Sequence, residues 1–131
     1  MTVMLSMEQQ TERLLEDFFS LMGFNLIHSE LPIEIITPPA NICLEMCGDS
    51  MRFAVVLPIE ERLRNTALLA LVERLVPECT PGILIHSFLS GNNLIASCII
   101  PTEFTAQAWL ALYRTLCALL QQAYQYAENT R

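Results

Sequence analysis

Lysine is absent from this chain of 131 residues; its seven cations are all arginine, spread along the sequence, against 12 Glu and 2 Asp. The formal net charge is −7. A nucleic-acid binder needs a basic stripe to displace counterions from phosphates, and none is present. Anionic membrane surfaces are disfavoured on the same ground. Glycine is scarce too, and its four copies are too dispersed to form a phosphate-cradling loop. The longest uninterrupted apolar run, Phe53 to Ile59, holds seven residues and contains Pro58. A bilayer-spanning helix needs about 20. The first ten residues have neither the positive n-region nor the apolar stretch of a signal peptide, so the protein is expected to stay in the cytosol.

Apolar residues, by contrast, are abundant: 53% of the chain is hydrophobic and 16% charged, enough for a sizeable core in a single domain. The domain is read over 1–131, with 1–5 and 129–131 frayed. Five cysteines, an odd number among apolar neighbours, suit reduced thiols used as small hydrophobes, and no disulfide framework is expected.

Hydrophobic periodicity orders the elements. A first helix is bounded by Ser6 and Gln9, spaced as a capping box, and by Gly23, placed as a left-handed C-terminal cap. Between them Leu14, Leu15, Phe18, Leu21 and Met22 form one stripe, with Glu16 and Asp17 on the wet side. Ile33, Ile35 and Ile36 suggest a short edge strand closed by Pro38 and Pro39. Asn41 to Met46 and Met51 to Pro58 form a hairpin about Gly48-Asp49-Ser50. A helix from Glu61 to Val76 follows, then a second hairpin of Ile83 to Leu89 and Leu94 to Ile100, turned at Ser90-Gly91-Asn92-Asn93. The last helix runs from Thr105 to Glu128 and is apolar around most of its circumference. The fold class is therefore α+β, an antiparallel sheet of about five strands with three helices in the order α-β-β-β-α-β-β-α. So much apolar surface on so small a domain leads to the expectation of a dimer or a permanent partner.

Enzyme motifs are absent: no G-x-S-x-G, P-loop, H-E-x-x-H or C-x-x-C occurs, and no cofactor or metal is expected. His28 falls in a loop and His86 in a strand. Pairing His86 with Cys79 or Cys98 as a nucleophile couple is an enzymatic alternative, against that of a partly buried or interfacial histidine. Cys43 and Cys47 have a helical ligand spacing in a segment that reads as a strand, so packing thiols explain them better. Glu60-Glu61 and Glu16-Asp17 could be paired carboxylates, but both pairs lie at helix starts or on solvated faces.

The apolar surplus has two readings. Phe19, Met22, Met46, Met51 and Phe53 are core, or some of them line a groove that receives an apolar, extended segment of another protein, with carboxylates keeping the complex soluble. Exposed hairpin edges would add strand pairing with a client.

The Leu14-Leu15-x-x-Phe18 run ending at Met22-Gly23, the Cys43 to Pro58 hairpin leading into Leu68-Leu69-x-Leu71, and Leu94 to Ile100 followed by Thr105 and the long Leu112 to Tyr126 helix resemble the class I type III secretion chaperones. These are the Tir-chaperone-like family of small, acidic, dimeric bacterial proteins. The resemblance implies a cytoplasmic, non-enzymatic chaperone that binds an extended N-terminal segment of a secreted effector or gatekeeper protein without ATP, keeps it secretion-competent and helps target it to the apparatus. By the same analogy Leu15, Phe19, Met22, Leu44, Met46 and Phe53 would contact the client. Leu68, Leu71, Val72, Leu75, His86 and Phe88 would pair the protomers, as a homodimer or as a heterodimer with a second small chaperone. A structural adaptor subunit of a larger secretion assembly, working as half of a small heterodimer, is the alternative.

Overall fold

The computed structural model describes residues 7–24 and 32–130. Ser6, the Gln9 side chain and His28, which the sequence places in a cap and a loop, lie outside those residues. The elements are α1 (Met7–Leu21), β1 (Ile33–Ile35), β2 (Asn41–Cys47), β3 (Ser50–Pro58), a 3-10 turn (Glu61–Leu63), α2 (Arg64–Arg74), β4 (His86–Ser90), β5 (Asn93–Ile100) and α3 (Ala106–Asn129). This is the expected order. All five strands join one antiparallel sheet, β1-β2-β3-β5-β4.

Local chemistry explains the boundaries. Gly23 has φ +87, and the amides of Phe24 and Gly23 donate to the carbonyls of Phe19 (2.8 Å) and Ser20 (3.0 Å). That pair of bonds is the Schellman end of a helix, and the Phe24 and Phe19 rings, 6.5 Å apart, supply its apolar clasp. Both hairpins turn on two residues, Gly48-Asp49 and Gly91-Asn92, in which only the glycine takes positive φ (+62 and +57). A glycine first with an ordinary residue second is the type II′ pattern, whose twist matches that of the strands. Thr105 caps α3 by accepting a hydrogen bond from the Ala108 amide at 3.1 Å. The second helix opens with the 3-10 turn, becoming α-helical only at Arg64, and β4 starts at His86 instead of Ile83. At the C-terminal end α3 continues through Asn129, into the stretch expected to fray.

The register sends Ile42 and Leu44 of β2, Met51, Phe53 and Val55 of β3, and Leu94, Ala96, Cys98 and Ile100 of β5 to one face of the sheet. All of these are buried, in one core with Leu15, Phe18 and Phe19 of α1, Ala67, Ala70 and Leu71 of α2, and Trp109, Leu116 and Leu120 of α3. The helices thus cover a single face. Trp109 stacks on Phe18 (centroids 4.4 Å apart, planes 6° apart), and Phe53 stands nearly perpendicular to both rings. The Tyr113 hydroxyl donates to the Ala40 carbonyl at 2.9 Å, tying α3 to the start of β2.

Two expectations change. The near-complete apolar circumference of α3 is used inside the chain: α1 lies on one side of it, α2 on the other and the sheet beneath. In addition, Leu15, Phe19, Leu44 and Phe53, expected at a client groove, and Leu71, expected between protomers, are fully covered core side chains. They carry the periodic signal of an interface because a core stripe has the same period. Replacing Phe18 by Ala removes the ring that joins α1 to Trp109 and Phe53; urea denaturation should show a loss of about 3–5 kcal/mol with little change in far-UV signal.

Candidate functional site

Large apolar side chains that remain at the surface mark where this molecule can meet another. One set lies on α2: Leu69 and Val72, at i and i+3, are on the side of the helix turned from the core, and Val76, two residues past the helix end, is exposed as well. Leu69 is 65% exposed and Val72 52%. Leu68 and Leu75 lie half-buried against the core. The last turn of α2 is pinned by Arg74, whose guanidinium donates to the Ala70 carbonyl (2.9 Å) and lies 5.0 Å from the centroid of the Tyr126 ring. The exposed stripe is thereby held rigidly against the C-terminal half of α3.

A second set occupies the face of the sheet opposite the helices. The register aligns Asn41, Val56, Ile95 and Phe88 across four strands, beside the row Glu34, Cys43, Ala54, Ser97 and His86. Glu45, Arg52 and Ile99 form a third row, in which Arg52 and Glu45 pair at 2.9 Å. Phe88 is 42% and Ile99 45% exposed. A third, smaller set is Leu21 and the half-buried Met22 at the end of α1; Met46 is exposed separately, at the end of β2.

Of the residues expected to contact a client, therefore, Met22 and Met46 alone keep accessible surface. Among those expected to pair protomers, Leu68, Val72 and Leu75 stay together on α2, but His86 and Phe88 do not join them. Their side chains leave β4 on the uncovered face of the sheet, while Ser87 and Leu89 point to the helices. Leu69, Val76, Val56 and Ile99 carry exposed or half-exposed apolar surface that no sequence signal separated from core.

Titratable groups behave as packing elements. Burial pushes the Cys98 thiol up to about 12 and raises Cys117, which Tyr113 partly offsets by hydrogen bonding. Burial is also the first cause of the raised Tyr113 phenol. Cys98 projects to the helix face and His86 to the other, so the sheet separates that couple. Cys43 and Cys47 lie four residues apart on one extended strand, about 13 Å, too far to share a metal ion. Glu60 binds Arg62 at 2.7 Å at the surface. Among the described residues no helix is long and apolar enough to cross a membrane.

Residues 8–123 match the model of the family described as SsaM. The chain belongs to the SsaM family. No curated protein matches this SsaM-family chain. Two solved structures share its fold. A chain of the HopA1–SchA chaperone–effector complex has TM-score 0.59 at 16% identity, with 95% of this chain and 99% of that one covered. YbjN, a putative transcription regulator from E. coli, has TM-score 0.55 at 6% identity over 86% of this chain and 90% of its own. At such identities the likeness is one of fold, and the five-stranded sheet with three helices is the chaperone-like arrangement.

The buried thiol carries a pH signature. Cys98 ionises at about 12 when folded, against an ordinary value of 9.0, so the unfolded chain releases that proton first as pH rises. Its contribution to stability should be intact below about pH 9 and fall progressively between there and about pH 12. Urea midpoints across that range would test this, and Cys98→Ala should flatten the Cys98 part of the decline.

Proposed function

We propose that this SsaM-family protein is a non-enzymatic type III secretion chaperone of the class I kind. It binds an extended N-terminal segment of a secreted effector or gatekeeper protein, holds it non-globular and helps deliver it to the secretion apparatus. The observation that carries the reading is the likeness in fold, over nearly the whole of both chains, to a chain of a chaperone–effector complex. Its surface supports the same reading. Three separate sets of exposed apolar side chains are more than a small soluble monomer ordinarily keeps, and 14 carboxylates hold such a surface in solution.

The α2 stripe is the reading's protomer contact. Leu69 and Val72 form an exposed apolar ridge on α2, and a helix ridge that packs on its own copy about a twofold axis buries both stripes at once. Unlike the expected list, this contact leaves out Leu71 and the β4 side chains. The protein acts in the bacterial cytoplasm, before the client passes into the apparatus.

Co-expression with secreted proteins encoded nearby should give one stable 1:1 or 2:1 complex, in which a client stretch of a few tens of residues becomes protected from protease. Failure to retain any secreted protein would refute the reading. Leu69→Glu with Val72→Glu should halve the mass seen by light scattering, while far-UV signal is kept, because both side chains are already in solvent within the protomer. An unchanged mass would remove α2 from the protomer contact.

A further inference from the structure

We infer that the face of the sheet opposite the helices docks an amphipathic, basic segment of the secreted partner, with apolar side chains laid on Val56 and Phe88 and an arginine or lysine set in the hollow over Cys43 and Ala54. The inference rests on the chaperone reading and adds the chemistry of the segment received.

Three observations carry it. First, the apolar row Val56, Ile95 and Phe88 continues across β3, β5 and β4 on the side away from all three helices. Phe88 is exposed and Val56 half-buried on that face, while Ile95 between them is buried. Second, a hollow of about 300 Å³ opens where β1, β2 and β3 carry small residues: Cys43 and Ala54 line it, with Pro32, Glu34, Glu45 and Arg52 around them. Third, the hollow is electronegative. The Cys43 thiol is raised first by burial and then by the carboxylates of Glu34 and Glu45, which both act on it. Arg52 is committed to Glu45 at 2.9 Å, and among the described residues Glu34 has no ion pair.

A long basic side chain suits this shape and field. Its aliphatic stem would lie on the Cys43 and Ala54 side chains while its charged head pairs with Glu34, since Arg52 already holds Glu45. The rows of Ala54 and Val56 are two residues apart along the strand, about 7 Å, so the basic residue and its apolar neighbour on the partner must be separated by a similar step. A segment with acidic flanks would meet like charge on this face and be rejected.

Two synthetic peptides with the same Leu/Ile stripe, one flanked by arginines and the other by glutamates, would be titrated into the intact protein and followed by fluorescence anisotropy. The arginine-flanked peptide should bind about tenfold tighter, the scale of one charge-assisted contact, with the advantage shrinking as salt is raised. Phe88→Thr should weaken it by a similar factor. Glu34→Arg should shift the preference to the glutamate-flanked peptide, a reversal that misfolding cannot produce, and Gln121→Ala, at an exposed position of α3, should change neither. Equal binding of the two peptides, or indifference to Phe88→Thr and Glu34→Arg, would overturn the inference. So would a smaller mass for Phe88→Thr by light scattering, which would assign the face to a second copy. A co-expressed secreted protein that still binds the Phe88→Thr, Glu34→Arg double variant sinks this surface and leaves the chaperone reading standing. Loss of every secreted partner by the unaltered protein sinks the chaperone reading alone.

Discussion

The stacked pair of Phe18 and Trp109, with Phe53 set edgewise against both, is the junction at which the first helix, the last helix and the sheet meet. Each ring comes from a different element, so the contact fixes their mutual rotation as well as their distance. With Phe18 in that place, Leu15 and Phe19 must face inward too, since they lie one turn away or adjacent on the same helix. With Phe53 in that place, the alternation of β3 and its neighbours decides which side chains of the whole sheet are covered. The indole N–H of Trp109 has no hydrogen-bond partner among the described residues. That orphaned donor costs on the order of 1–3 kcal/mol, which the apolar area of three large rings offsets.

From this junction follows the division of the molecule into a covered face and an open one. Three helices side by side are wide enough for one face of a five-stranded sheet, and α3, in the middle, spends its apolar circumference on α1, α2 and the strands below. Part of the surplus that composition reveals is therefore located at the surface: Leu69 and Val72 on α2, Phe88 and Ile99 on the far side of the sheet, and Ile36 and Leu84 in the loops. The carboxylates are placed with equal economy. Glu34 and Glu45 lie on β1 and β2 on the open face, where they bias its charge toward one side of the sheet.

Much of the architecture was legible because it is written in short-range chemistry. Gly23, Gly48 and Gly91 announce backbone that other residues avoid, Thr105 announces a helix start, and the periods of the helical stripes place the helices. The division between core and interface was not legible. Leu15, Phe19, Leu44 and Phe53 look the same in sequence whether a groove or a neighbouring helix covers them, since coverage is set by tertiary packing and not by residue type. Likewise, alternation in β4 sorts Ser87 and Leu89 from His86 and Phe88, but says nothing about which pair faces the helices; that needs the register with β5. Tyr113 reaching the Ala40 carbonyl, 73 residues away, has no sequence signal at all.

The sole tryptophan of this chain lies in the contact on which everything else depends. Its ultraviolet emission consequently reports one event, the seating of the first helix on the last, undiluted by any other indole. Movement of α1 could then be timed in the unlabelled protein, separately from the fate of the sheet.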